Sequence, residues 1–238
     1  MSIKYKLGSL LRGIGYRVAR DYKWPQVHGN LLLLGCSLLH STRNTSIQIV
    51  QVGAFDGHMS DPLEELLQHD KTEAVLVEPQ KDPCEALVKR YAGNRRIRVV
   101  NAAIAESDGS VTLFVPSSEA SQQASLIAGH HKRFGLRNSD IRQITVPSLS
   151  VASLVKQCGF ERVDILQLDT EGMDYRILRW FLQAGMKPHL VNFESLHLSR
   201  EERLGSRDLL RQNGYWWVDT EQDTFAVKET LVRDVLRQ

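Results

Sequence analysis

The chain has 238 residues, a length that favours one domain with at most a small addition. Apolar residues make up 42% and charged residues 24%, which argues against a disordered chain. The net charge of only +2 argues against a protein that binds nucleic acid through bulk charge. The three cysteines form no CxxC pair, so neither a zinc ribbon nor a disulfide scaffold is expected. A protein of the reducing cytoplasm fits these features best.

The N-terminal region predicts a helical extension over residues 1–46. Residues 1–21 combine five Lys or Arg with apolar residues at helical spacing, as in a basic amphipathic helix. That helix either packs on the domain or makes a peripheral contact with a membrane. A second helix is predicted from Val27 to Leu39. The apolar run within it is too short to span a bilayer.

From residue 47 to the end, the pattern predicts a single α/β domain. Short β-branched runs predict five strands that alternate with helices, at Ile47–Val52, Ala74–Val77, Ile97–Val100, Val163–Leu168 and Leu190–Phe193. Asp61 and Asp82 each begin an Asp-Pro-x-Glu segment and are expected to cap a helix. Strands that alternate with helices favour a twisted parallel sheet with right-handed crossovers. Tyr215–Val218 and Thr224–Val227 predict a C-terminal antiparallel hairpin.

Two further segments lie between the third and fourth predicted strands. Gly109–Val115 predicts an additional strand. Residues 117–140 lack periodicity and are rich in Ser, Gln and His. A loop of this length is either a binding loop that closes over an acceptor or a solvated charged loop.

Each predicted parallel strand ends in a polar or glycine-rich group, and in open α/β sheets ligands bind at these strand ends. The first two strands end at the turn Gly53–Gly57 and at Glu78. The glycines let the backbone approach a ligand, and a carboxylate at the position of Glu78 can accept both ribose hydroxyls of an adenosine. No GxGxxG follows the first strand, so S-adenosylmethionine (SAM) is favoured over NAD. The reversed final strand is also typical of SAM-dependent methyltransferases.

Five segments resemble the successive motifs of the FkbM-type SAM-dependent methyltransferases. They are Val50-Gln-Val-Gly-Ala-Phe-Asp-Gly57, Val77-Glu-Pro79, Asn101-Ala-Ala-Ile104, Ile165-Leu-Gln-Leu-Asp-Thr-Glu-Gly172 and Val191-Asn-Phe-Glu194. The resemblance covers about residues 47–227 and implies a class I, Rossmann-like methyltransferase fold. It also implies O-methylation, commonly of hydroxyls on sugars or on polyketide and glycolipid products.

The resemblance also implies how SAM is held. Gly53, Ala54 and Gly57 would contact the methionine part, and Glu78 would hold the ribose. The adenine would lie against Asn101, Ala102 and Ala103. Many members have Asp where this chain has Gln51, so the contact with the methionine ammonium is expected to weaken or to pass to Asp56.

The fourth and fifth predicted strands end in residues suited to catalysis. Asp169, Glu171 and His197 are the candidate catalytic groups, because an alcohol needs a base or a metal to take its proton. Asp169, Glu171 and Glu194 offer hard oxygen ligands for Mg²⁺. Asp169 could instead cap the helix that begins at Asp174, and His197 could be a surface histidine.

These observations predict a SAM-dependent O-methyltransferase that acts on a carbohydrate or another polyhydroxylated or lipid-linked molecule. The expected partner is a small-molecule or glycan acceptor and not a nucleic acid. Two alternatives stay open, an NAD-binding oxidoreductase and a non-catalytic module that binds SAM. The expected location is the cytoplasm, with a membrane-peripheral position if the N-terminal helix binds lipid.

Overall fold

The computed structural model describes residues 27–42, 45–58, 61, 63–116 and 119–236. The amphipathic helix predicted over residues 1–21 lies outside the described residues, so the choice between membrane contact and packing stays a prediction. Within the described part of the chain, no helix is both long and apolar enough to cross a membrane.

The described residues form ten strands and seven α-helices. The strands are β1 (Ile47–Val52), β2 (Thr72–Val77), β3 (Ile97–Val100), β4 (Ala103–Ile104), β5 (Gly109–Val115), β6 (Arg142–Leu149), β7 (Ile165–Leu168), β8 (Leu190–Glu194), β9 (Tyr215–Asp219) and β10 (Asp223–Lys228). The α-helices are α1 (Val27–Thr42), α2 (Glu64–Leu67), α3 (Lys81–Arg90), α4 (Val151–Cys158), α5 (Asp174–Gln183), α6 (Arg200–Gln212) and α7 (Glu229–Val235). Two 3₁₀ helices span His130–Phe134 and Asn138–Asp140.

Seven strands form one twisted sheet in the order β3-β2-β1-β7-β8-β10-β9. The first five in this order are parallel, β10 is antiparallel to β8, and β9 is antiparallel to β10. This arrangement confirms the predicted parallel sheet and the C-terminal hairpin. β1 and β7 are neighbours although residues 53–164 separate them in the chain. Strands β2 and β3 therefore lie on one side of β1 and the later strands on its other side, so the strand order reverses at β1. Ligands of open α/β sheets bind at such a reversal.

Helices cover both faces of this sheet, because alternate strand residues are apolar on both sides. Val50 and Leu166 pack with α4, α5 and α6 on one face. Ile49 and Leu76 pack with α1, α2, α3 and α7 on the other. Helix α1 therefore shares a core with the domain that was predicted to begin at residue 47.

A second sheet of three strands has the order β4-β6-β5. Strand β6 and helix α4 were not predicted from the sequence. In β6 only Val146 and Ser148 are buried, so the strand carries too few apolar residues for a strong alternation.

The two predicted Asp helix caps are wrong in detail. Helix α2 begins at Glu64, and the Asp61 carboxylate instead accepts the Leu63 amide hydrogen at 2.9 Å and the Gln51 side-chain amide at 3.1 Å. Helix α3 begins at Lys81, so Asp82 lies inside its first turn. A carboxylate there favours the helix through the dipole without acting as a cap.

Candidate functional site

A cavity of about 370 Å³ opens at the carboxyl ends of β1, β2, β7 and β8. Polar side chains form about half of its wall, namely Gln51, Asp61, Glu78, Gln80, Gln122, Gln167, Asp169, Thr170, Glu171, Glu194 and Gln222. Small or apolar residues complete the wall, among them Gly53, Ala54, Pro79, Ala103, Ile104, Leu113, Ala124 and Leu126. The volume lies within the usual range for small-molecule sites.

Gly53 brings the ends of β1 and β7 together. Its φ of +82° is unfavourable for other residues, and a Cβ atom at this position would lie 1.8 Å from the carbonyl oxygen of Asp169. The Asp169 amide in turn donates to Val52 at the end of β1, at 3.0 Å. The glycine therefore allows Asp169 to stand at the edge of the cavity.

Glu78 lies at the end of β2 and is only 3% exposed. Its carboxylate accepts the backbone amide hydrogens of Phe55 at 3.0 Å and Gln80 at 2.8 Å. Phe55 has a positive φ of 45°, so Glu78 also fixes a strained turn. Burial raises the pKa of Glu78 to about 7 in spite of these hydrogen bonds. The Gln80 side-chain amide also donates to Oε1 at 3.3 Å, so Oε2 is the carboxylate oxygen that keeps a lone pair for a ligand hydroxyl.

Asp61 is the carboxylate that lies beside Gln51, and the sequence analysis missed this role. Burial raises the pKa of Asp61, against the hydrogen bonds from Leu63 and Gln51. Gln51 Oε1 and Asp61 Oδ2 are buried and have no hydrogen-bond partner among the described residues. Two unsatisfied acceptors at one wall suit a cationic ligand group such as an ammonium. The sequence analysis interpreted Asp61 only as a helix cap.

The structure does not place four predicted cofactor contacts at the cavity wall. Asp56 is half-buried and accepts the amide hydrogen of His58, and the carboxylate that lies beside Gln51 is that of Asp61. Gly57 packs against the side chain of Leu87, 2.8 Å from the position of its missing Cβ. The Asn101 amide donates to the carbonyl oxygens of Glu78 and Pro79. Ala102 is buried beside them. These residues shape the strand ends behind the wall.

Asp169 faces the cavity with its carboxylate unpaired, since no hydrogen bond or ion pair joins that side chain to the described residues. It does not cap α5, whose first residue, Asp174, accepts the Gly172 amide hydrogen instead. Desolvation by the surrounding cleft and the charges of Asp174 and Glu171 raise the pKa of Asp169 above its ordinary value, although the residue itself is exposed to solvent at the edge of the cavity.

Oxygen atoms from Asp169, Glu171 and Glu194 all lie within 4.8 Å of one another, so the structure brings together the three predicted Mg²⁺ ligands. Burial and the charges of Asp169 and Glu171 raise the pKa of Glu194 to about 10. This end of the cavity is therefore strongly acidic in character.

Behind the acidic wall, Glu171 joins two imidazoles. Its Oε2 atom lies 2.9 Å from Nε2 of His130 and 3.2 Å from Nε2 of His197. His197 Nε2 also lies 3.3 Å from Oε1 of Glu194. Burial lowers the pKa of His197, while the charge of Glu171 opposes this. His197 is thus no surface histidine, but it does not line the cavity, and its role as a base stays a prediction.

The loop 117–140 supplies part of the site. Ser125 is fully buried, and its hydroxyl donates to the carbonyl oxygen of Glu171 at 2.7 Å. Gln122, Ala124 and Leu126 line the cavity, and His130 is 3% exposed. Ser125, His130 and His131 are therefore packed into the site, whereas residues 132–135 and 137–140 of the same loop are exposed to solvent. The many Ser, Gln and His residues of this loop were the sequence feature that could have pointed to His130 as part of the site.

Comparisons with known proteins give one family match and a set of structural neighbours. No curated protein matches the chain. The methyltransferase FkbM from Methylobacillus flagellatus KT superposes with a TM-score of 0.49 and 15% identity. The superposition covers 76% of this chain and 43% of the length of that protein. The O-methyltransferase from Bacillus cereus in complex with SAH superposes with a TM-score of 0.44 and 12% identity, covering 96% of this chain and 91% of that one.

The sequence profile of the FkbM methyltransferase domain matches residues 51–216. That range includes the end of β1 and the whole of β2, β7 and β8, and with them the strand ends that surround the cavity. It covers more than half of the 238 residues. The chain belongs to the FkbM methyltransferase family.

Proposed function

We propose that this protein is a SAM-dependent O-methyltransferase whose acceptor is a hydroxyl of a carbohydrate or of another polyhydroxylated or lipid-linked molecule. One observation carries the proposal. The unpaired carboxylate of Asp169 lines the same cavity as Glu78, so a proton acceptor and a ribose-binding carboxylate face one enclosed space. Membership of a methyltransferase family favours this function over an NAD-dependent oxidoreductase.

The residues present fit SAM. Gln51 Oε1 and Asp61 Oδ2 lack partners among the described residues and would accept hydrogen bonds from the methionine ammonium. Glu78 would accept the ribose hydroxyls, and Ala103 and Ile104 give an apolar wall for the adenine. When bound, SAM would supply a methyl group carried on a sulfonium. An incoming oxygen would attack that methyl carbon opposite the sulfur, which leaves as a thioether.

The acidic end of the cavity indicates the class of acceptor. The carboxylates of Asp169, Glu171 and Glu194 and the amides of Gln167 and Gln222 offer hydrogen-bond acceptors to hydroxyl groups. No lysine or arginine is among the described residues that line this cavity, so a phosphate would find no positive partner there, which disfavours a nucleic acid acceptor. A neutral molecule with several hydroxyls satisfies both conditions.

In the reaction, Asp169 takes the hydroxyl proton while the new carbon–oxygen bond forms and the carbon–sulfur bond breaks. Glu78 and Asp61 contribute by alignment, because a displacement in line depends on the relative position of oxygen and methyl. His197, through its contacts with Glu171 and Glu194, holds the acidic wall in place. The cytoplasmic location stays a prediction.

The test is the Asp169→Asn variant, with Asp82→Asn as the control. Asp82 is an exposed carboxylate in α3 that does not line the cavity. Methyl transfer from labelled SAM is measured on a panel of sugars, polyols and lipid-linked glycans. We expect Asp169→Asn to lower turnover at least about 100-fold, the usual scale for losing a catalytic base, with SAM affinity nearly unchanged. Unchanged turnover would refute the role of Asp169. SAM binding with no transfer to any acceptor would favour the non-catalytic module.

A further inference from the structure

We propose that His130, Glu171 and His197 form a binding site for a divalent transition-metal ion at the acceptor end of the cavity. One donor atom of each residue lies within 4.8 Å of the other two. The Oε2 atom of Glu171 stands 2.9 Å from Nε2 of His130 and 3.2 Å from Nε2 of His197. The three residues come from a 3₁₀ helix, the turn after β7 and the segment after β8, so only the folded chain brings them together.

These distances suit a shared ion. Zinc binds His nitrogen at about 2.0–2.1 Å and carboxylate oxygen at about 2.0–2.2 Å, so two donors on one tetrahedral ion stand roughly 3.3 Å apart. The two measured separations from Glu171 lie close to this value. Two imidazoles with one carboxylate are typical ligands of zinc and of other first-row transition metals. Mg²⁺ instead prefers oxygen ligands.

The charge around the three residues favours a cation. Within the described part of the chain, Glu171 forms ion pairs only with His130 and His197. Glu194 forms its only ion pair there with His197. Arg133, the nearest arginine in this network, donates to the carbonyl oxygen of His197 and not to a carboxylate. A buried carboxylate (Glu171) beside a half-buried one (Glu194), with no lysine or arginine partner among the described residues, is costly unless a cation offsets their charge.

The backbone of Glu171 supports the same site. Its φ is +53°, a left-handed conformation that is uncommon for a residue other than glycine. The buried Ser125 hydroxyl holds this conformation through the carbonyl oxygen of Glu171. Strained residues that the surroundings fix in place concentrate at functional sites. Here the strain points a carboxylate at two imidazoles.

The position of the ion indicates its use. Glu171 lines the cavity that Asp169 faces, whereas neither His130 nor His197 does, so an ion on these three residues would lie behind the wall and act on the acceptor through the Glu171 carboxylate. Its positive charge would hold that carboxylate in place and lower the pKa of an acceptor hydroxyl bound against it. This role rests on the proposed function, whereas binding of the ion does not. The oxygen-only set of Asp169, Glu171 and Glu194 shares one residue with the site and is the competing arrangement.

The experiment titrates the chelator-treated full chain with Co²⁺ and follows its visible absorption bands. We expect one Co²⁺ per chain, displaced by Zn²⁺, which generally binds more tightly. His130→Asn and His197→Asn should each weaken Co²⁺ binding at least about 10-fold. His69→Asn, at an exposed histidine beside β2, should leave it unchanged. Where an Asn variant fails to fold by circular dichroism, the corresponding His→Gln variant replaces it.

Two results would overturn the site. One is the absence of a Co²⁺ spectrum at millimolar metal. The other is binding that Asp169→Asn abolishes and His130→Asn does not, which would assign the oxygen-only set. SAM affinity is measured by calorimetry on the same samples. Co²⁺ binding without SAM binding would refute the proposed function and leave the metal site standing, and the reverse result would refute the metal site alone.

Discussion

Replacing Glu78 by Gln should stabilise the protein without ligand and weaken SAM binding. Glu78 is buried at the end of β2, and burial raises its pKa from 4.5 to about 7. The folded protein therefore prefers the protonated carboxyl. The stability that this group contributes is fully present below pH 4.5 and is lost as the pH rises through 7. Gln has nearly the same shape and carries no charge at any pH.

The size of the effect follows from the two pKa values of Glu78. The span from 4.5 to about 7 corresponds to about 3 kcal/mol of unfolding free energy at pH 8, since one pKa unit is about 1.4 kcal/mol. The backbone amides of Phe55 and Gln80 donate to different oxygens of Glu78, so a protonated carboxyl and an amide each keep a carbonyl oxygen for only one of the two. The variant and the parent should therefore have nearly equal stability at pH 4. SAM affinity should fall about 10-fold to 150-fold, the scale for hydrogen bonds to a charged group.

Urea unfolding at pH 4 and pH 8, followed by circular dichroism, measures the stabilities, and calorimetry measures SAM binding. Glu85→Gln is the control, because Glu85 is exposed in the adjacent helix α3 and should change stability by less than about 0.5 kcal/mol. A stability difference that does not change with pH would refute the argument from burial. A Glu78→Gln variant less stable than the parent at pH 8 would show that the two backbone hydrogen bonds outweigh the cost of burying the charge.

Three further variants test other parts of the site. Asp61→Asn should weaken SAM binding about 10-fold or more in calorimetry, because a charged partner of the ammonium is lost. Gly53→Ala should destabilise the protein by more than about 3 kcal/mol in thermal unfolding, since its Cβ would overlap the Asp169 carbonyl, whereas Gly93→Ala, with open space around it, should cost only about 1 kcal/mol. Ser125→Ala should cost about 1–3 kcal/mol in stability by leaving the Glu171 carbonyl without its buried donor, and turnover should fall with it.

The main sheet could be predicted from the sequence because its strands are buried on both faces. Runs such as Ile47–Val52 and Leu190–Phe193 are continuously apolar or nearly so, and such runs between helical patterns are typical of parallel strands. The strand-end residues Gly53, Glu78 and Asp169 then fell at one edge by topology alone. Strand β6 escaped prediction because it is half-exposed in a small sheet, where alternation is weak.

The sequence does not determine whether Asp56 or Asp61 lies beside Gln51. Both residues follow β1, and local spacing allowed either to replace the carboxylate missing at Gln51. The turn after Gly53 leaves Asp56 at its outer side, where it accepts from His58. The chain returns past Gln51 five residues later, at Asp61. That return depends on the packing of Leu63 and Leu67 against β2, and a motif carries no information about it.

The pairing of His130 with Glu171 shows why a catalytic wall is harder to predict than a cofactor site. The contacts at Glu78 with Phe55 and Gln80 follow from two adjacent parallel strands, so topology determines them. His130 and Glu171 are 41 residues apart and meet only because Ser125 binds the Glu171 backbone while it also pairs with Phe114 of β5. The second sheet therefore positions the loop on the acidic wall. Ser121 also pairs with Gln80 beside Glu78, so it belongs to the cofactor half. If the rest of that half depends on strand topology and the acceptor half on the following loop residues, substitutions in residues 123–131 should alter acceptor turnover far more than SAM affinity.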